Sequence, residues 1–125
     1  MESVKTKEAP EPVGPYSQGI IVSGFLFLSG QIGIDPETGK LVEGIENQTE
    51  QILKNIEAVL KAAGSSKERI VKTTIFIKDI KNFAKVNEIY GNFFKNCPVF
   101  PARSTVEVSN LPLNAEIEIE CIAKV

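Results

Sequence analysis

The sequence has no histidine and no tryptophan, and only two cysteines and one methionine among 125 residues. Without histidine there can be no Ser-His or Cys-His nucleophile pair, no imidazole-ligated metal and no imidazole acid-base chemistry. Any catalysis must rest on carboxylates, Arg, Lys, Tyr, hydroxyls or the backbone. Cys97, which precedes a proline, and Cys121, inside an apolar strand-like run, are too few and too widely spaced for a disulfide scaffold or a zinc site. Both read as reduced, Cys121 as core, and no metal or other cofactor is expected. No stretch approaches the roughly 18 consecutive apolar residues of a membrane span. Met1 to Glu8 also lacks the apolar centre of a signal peptide, so a soluble, cytoplasmic protein is expected. A surplus of positive charge is missing too. Fourteen Lys and Arg stand against 16 Asp and Glu, and the lysines are dispersed, which leaves no footprint for nucleic acid or an anionic membrane. A small molecule is the expected partner.

The length suits one domain over residues 1–125, able to bury a core without staples. The proline-broken start, up to Pro10-Glu11-Pro12, reads as an extended lead-in, with folded structure beginning near Gly14. Gly19 to Val22 and Phe25 to Leu28 are β-prone runs joined by Ser23-Gly24, the spacing of a two-residue hairpin. Asp35-Pro36-Glu37-Thr38-Gly39 marks a turn, with a short strand near Lys40 to Val42. From Glu46 to Ala63, Ile52, Leu53, Ile56, Val59, Leu60 and Ala63 follow one helical face, and Gly64 ends it. Ile70 to Lys78 reads as a strand. A second helix spans about Asn82 to Lys95, with Phe83, Val86, Tyr90, Phe93 and Phe94 near its apolar face. Arg103 to Ser109 and Glu116 to Ala123 are further strands, separated by a turn at Asn110-Leu111-Pro112.

The order β-β-α-β-α-β-β implies an α+β layer, a mixed sheet with two helices on one face. In the last two strands Val106 and Val108 alternate with Arg103, Thr105, Glu107 and Ser109, and Ile117, Ile119 and Cys121 with Glu116, Glu118 and Glu120. One sheet side is therefore expected to be apolar and the other polar, meeting water or lining an interface.

Arg103 and Glu118, on adjoining strands, are expected to share a sheet face. On pattern alone the commoner reading of such a pair is a cross-strand ion pair on a solvated sheet. Asn87 shares helical spacing with Phe83, Tyr90 and Phe94; a buried amide needs partners, and a strand end or loop backbone serves as well as a ligand. Gly14-Pro15-Tyr16-Ser17 reads as a turn with an aromatic anchor, whose ring and hydroxyl are equally available to a ligand. The glycine of Ser29-Gly30-Gln31 marks either a bulge or a place where another group approaches the backbone.

Together these segments resemble the RidA family, also called YjgF-like proteins or reactive intermediate deaminases. The resemblance runs through Gly14-Pro15-Tyr16-Ser17-Gln18, Phe27-Leu28-Ser29-Gly30-Gln31-Ile32, Gln48-Thr49, Phe83 to Tyr90, Pro101-Ala102-Arg103-Ser104 and Ile117-Glu118-Ile119-Glu120. It implies a chorismate-mutase-like homotrimer whose sheets form a barrel, with ligand sites between subunits. It further implies hydrolysis of 2-imino and enamine acids (2-aminoacrylate, 2-iminopropionate) to 2-keto acids and ammonia. By position, Arg103 is the carboxylate-binding arginine and Glu118 the acid that orients water, while Tyr16, Ser29, Gly30, Asn87 and Thr105 match substrate-binding positions. Thr105 stands where many members have cysteine, and Gly19 and Gly33 where Ala and Pro are commoner. The competing readings are a non-catalytic trimeric ligand-binding or regulatory module and, fitting less well without histidine or a basic stripe, a ribonuclease or translation inhibitor.

Overall fold

A computed structural model describes all 125 residues. Its first element corrects the expected start near Gly14, because Glu2–Val4 (β1) already pairs antiparallel with Gly19–Val22 (β2). Val4 and Ala9 are buried, and the Gln18 side chain holds the segment between them. Its Oε1 accepts from the Thr6 N–H at 2.8 Å, and its Nε2 donates to the carbonyls of Thr6 at 3.0 Å and Pro10 at 2.9 Å. A three-residue strand with one inward side chain is too short to show an alternation in sequence.

Ser23 and Gly24 adopt the positive φ of a two-residue hairpin turn (53° and 79°), so β2 folds back on Phe25–Gln31 (β3) as expected. Ile34–Asp35 (β4) and Lys40–Leu41 (β5) form a separate small hairpin around the Asp35–Gly39 turn. Helix α1, Ile45–Ala62, buries Ile52, Leu53, Ile56, Val59 and Leu60. It stops at Gly64, where the Ser65 N–H reaches the Leu60 carbonyl (2.8 Å) and the Gly64 N–H that of Lys61 (3.0 Å). Those two bonds, with φ of 76° at Gly64, are the glycine-terminated cap in which only a residue without Cβ is unstrained.

Ile70–Ile77 (β6), helix α2 (Phe83–Phe94), Ala102–Glu107 (β7) and Ile117–Lys124 (β8) complete the chain. The six-stranded sheet has the order β1-β2-β3-β8-β6-β7, antiparallel except for the parallel β6/β7 pair that α2 connects. The last strand is thus inserted between β3 and β6, in the middle of the sheet. Both helices cover one face, and Leu26, Ile56, Val59, Leu60, Ile75 and Ile119 pack there with at most 1% exposure. The opposite face has no covering layer.

Pairing register settles which side chains share a face, since directly paired residues point the same way. Thr73 pairs with both Arg103 and Cys121, Ile75 with Thr105 and Ile119, and Phe76 with Val106 and Glu118. Arg103 and Thr105 therefore point to the helix side, whereas Val106 lies beside Glu118 on the uncovered side. The expected phase of β7 is inverted: its valine is 44% exposed, and its polar residues face the helices.

Candidate active site

Glu118 stands over the β3/β8 seam. Between Leu28 and Gln31, β3 takes three steps while β8 takes two from Cys121 to Ile119, so the ladder carries a bulge at Ser29-Gly30. Both sequence readings of Gly30 hold, because a Cβ built there would lie 2.5 Å from Glu118 Oε2. Only glycine lets the carboxylate rest on the β3 backbone. The Ser29 hydroxyl donates to the Ser17 carbonyl at 2.6 Å and its N–H to the Gln18 carbonyl at 3.0 Å. These bonds anchor the loop bearing Tyr16, whose hydroxyl accepts from the Val13 N–H at 3.3 Å.

Tyr16, Ser29, Gly30, Glu118 and Glu120 line a cleft of about 400 Å³, closed by the apolar Ile32, Ile34 and Pro112. Burial pushes the Glu118 carboxyl above the ordinary glutamate range, and the like charge of Glu120 adds to the rise. A carboxyl so placed is a better proton acceptor than one free in water.

Arg103 occupies different surroundings. Its Nη1 donates to Asn87 Oδ1 at 2.8 Å, and its guanidinium carbon lies 5.0 Å from the Tyr90 ring centroid and 5.3 Å from that of Phe83. Phe83, Asn87 and Tyr90 are one stripe of α2, which makes the helix a socket for the cation. The Tyr90 hydroxyl bonds the Thr73 hydroxyl at 2.7 Å. Burial raises its pKa, opposed by the Thr73 bond and the Arg103 charge. With one N–H committed to Asn87, the other donors of the planar fork suit a carboxylate. Beside Arg103, the Thr105 Oγ1 is buried without a hydrogen-bond partner.

The structure thus brings Tyr16, Ser29, Gly30 and Glu118 together, and separately Asn87, Arg103 and Thr105. The two groups do not meet within a chain. The expectation that Arg103 and Glu118 share a sheet face is wrong, and with it the cross-strand ion pair, because β7 and β8 are not neighbours: β6 lies between them, and the registers put their side chains on opposite sides. Asn87 bonds the Arg103 side chain rather than a backbone group. Sequence reasoning took Phe83 and Tyr90 as core and did not single out Glu120 as a cleft residue. The signals were their shared helical stripe with Asn87 and the i, i+2 spacing to Glu118.

A small α+β protein with two helices packed on one face of a mostly antiparallel sheet is the architecture of the Rid proteins. The chain belongs to this family: the family model described as Endoribonuclease L-PSP matches residues 6–125. Reactive Intermediate Deaminase A, chloroplastic, of Arabidopsis thaliana is 54% identical over 123 residues, covering 98% of this chain and 65% of that protein. The crystal structure of a protein of the conserved Rid family from Yersinia pestis superposes with a TM-score of 0.97 at 58% identity, covering 99% of this chain and 98% of that one. Escherichia coli TdcF with bound serine gives 0.96 at 39% identity, covering 100% and 99%. No helix is long and apolar enough to cross a membrane.

Proposed function

We propose that the protein is a cytoplasmic homotrimeric deaminase that hydrolyses reactive 2-imino and enamine acids, 2-aminoacrylate and 2-iminopropionate among them, to 2-keto acids and ammonia. The observation carrying this reading is the division of the site. The Arg103 guanidinium and the Glu118 carboxyl, its pKa raised by burial, lie on opposite faces of one sheet, so a pocket using both requires the Arg103 side of one subunit beside the Glu118 cleft of the next. Relatedness to a reactive intermediate deaminase supports the chemistry, and the serine in TdcF shows that protein holding a small amino acid.

In this reading Arg103 grips the planar carboxylate, each charge-assisted bond contributing roughly 1.5–3 kcal/mol, and Tyr16, Ser29, Gly30 and Thr105 complete the pocket. Glu118 takes a proton from a water as its oxygen bonds to the imine carbon, giving a carbinolamine. That proton passes to the imine nitrogen as the carbinolamine forms; Glu118 then takes the carbinolamine hydroxyl proton and delivers it to the same nitrogen, so that the C–N bond breaks, ammonia leaves and the carbonyl forms. Since such imines already hydrolyse in water, positioning and proton transfer suffice, and the reaction calls on no metal, cofactor, nucleic acid or membrane.

The test is a coupled assay with imines freshly generated from several amino acids, alongside light scattering. Three chains per particle and accelerated imine loss are expected. Binding of keto acids without turnover would show a ligand-binding module instead, and a monomer with full activity would overturn the shared site.

A further inference from the structure

Gln48 lies outside the cleft yet is bonded to residues flanking the two strands that wall it. It sits in the first turn of α1, 3% exposed. Its Oε1 accepts from the Glu116 N–H at 2.9 Å and its Nε2 donates to the Val42 carbonyl at 3.0 Å. The Val42 N–H in turn donates to the Gly33 carbonyl at 2.9 Å, just where the chain leaves β3. The carbonyl of Glu116 accepts from the Lys78 N–H at 3.0 Å, so both backbone groups of the residue preceding β8 are held. Glu118 is two residues further along.

The helix approaches closely enough for this because Gly33 has no side chain: a Cβ there would lie 2.8 Å from Gln48 Cα and 3.0 Å from its carbonyl oxygen. Ile32, Ile34 and Ala115 pack as a small cluster between the two walls. Asn55, one helical stripe along α1, donates to the Ile34 carbonyl at 2.9 Å.

We propose that Gln48 is a positioning residue for Glu118. By tying Val42, and through it Gly33 at the exit of β3, to Glu116 at the entry of β8, its side chain sets the height of the Glu118 carboxylate above Gly30. The clamp needs one group that donates and accepts at once, which a neutral amide does and neither a thioether nor a carboxylate does. The inference rests on the deaminase reading only for its kinetic consequence; the placement of the carboxyl is measurable without turnover.

The experiment compares Gln48→Met and Gln48→Glu with the wild type by imine turnover, keto-acid calorimetry with pyruvate, and carbon-13 NMR titration of the Glu118 carboxyl. For Gln48→Met, kcat is expected to fall about ten- to hundredfold, the loss a misplacement of about 1 Å brings, with pyruvate affinity nearly unchanged. The Glu118 pKa should drop towards the ordinary glutamate value as the carboxyl moves into solvent. In Gln48→Glu the buried acid, when protonated, both donates and accepts, so its kcat relative to wild type should recover as pH is lowered; the comparison is made at a temperature where circular dichroism shows both proteins fully folded at every pH, which separates the recovery from a regain of stability. Unchanged kcat and an unchanged Glu118 titration in a folded Gln48→Met protein would overturn the proposal. Should that variant not fold, a Gln48→Glu protein with no pH-dependent recovery would overturn it equally. If the wild type does not hydrolyse imines, the deaminase reading fails while the titration still decides the positioning role.

Discussion

Glu118 and Arg103 stand one strand apart in the same sheet, yet their surroundings have little in common. Glu118 is on the uncovered face, above a glycine bulge and beside a second carboxylate. Arg103 is on the helix side, with two aromatic rings and an amide around its guanidinium. Placed together in one chain, the two charges would neutralise each other, and a buried pair of that kind contributes little once desolvation is counted. The register of β7 and β8 on β6 prevents it, leaving each charge available to something outside its own fold.

The largest effect expected from this division is complementation. Arg103→Ala and Glu118→Gln proteins should each be nearly inactive. Subunits of the two, unfolded and reassembled together, should regain roughly a quarter of wild-type activity, the share of pockets in a ring that receive one intact residue from each side. Recovery absent from trimers shown by mass spectrometry to be mixed would show that the two residues do not act in one shared pocket.

The two halves should also fail differently. Glu118→Gln should cut kcat by about 10²–10⁴ while pyruvate binding survives, because the amide keeps the size but not the basicity. Arg103→Lys should lose about a hundredfold in kcat/KM, equivalent to about 3 kcal/mol, together with pyruvate affinity, since an ammonium is a point charge without the planar fork. Equal losses of binding in both variants would remove the assignment of roles.

Two glycines sharpen the picture of the cleft side. Gly30→Ala pushes only on the end of the Glu118 side chain, so kcat should fall about tenfold, in line with what small displacements do, with little change in thermal stability. Gly33→Ala presses on the backbone of α1 and should destabilise the fold by about 1–3 kcal/mol, as overpacking does, read from the shift in melting temperature.

The smallest effect concerns pH. With the Glu118 pKa raised by burial and by Glu120, the folded state favours the neutral acid. The associated stability is present below the ordinary glutamate pKa and is lost as pH rises through the raised value. Glu118→Gln should therefore melt slightly above wild type at neutral pH, with the gap closing in acid. In the rate profile, Glu120→Gln should move the acidic limb to lower pH, because one of the two causes is gone. A limb that stays in place would show that Glu120 does not act on Glu118.

Both helices, five of the eight strands to within about two residues, the Ser23-Gly24 hairpin and the Gly64 stop were legible in the residues alone, as was Gly30 as a bulge or close approach. These rest on local rules: periodicity along one element, a residue type that alone tolerates positive φ, a glycine in a strand. A resemblance carried by several ordered motifs also named the residues of the candidate site. How those elements sit against one another follows from the folded sheet instead. Alternation along β7 shows that Arg103 and Val106 point opposite ways, but not which of them faces the helices. That phase comes from pairing with β6, and β8 entered the sheet on the far side of β6 rather than next to β7. The same holds for β1, whose three residues are ordered by pairing with β2, for the segment after it held by Gln18, and for the bond of Gln48 to Glu116, 68 residues away in sequence. Contacts between distant segments are fixed by packing and register, and no single element's pattern contains them.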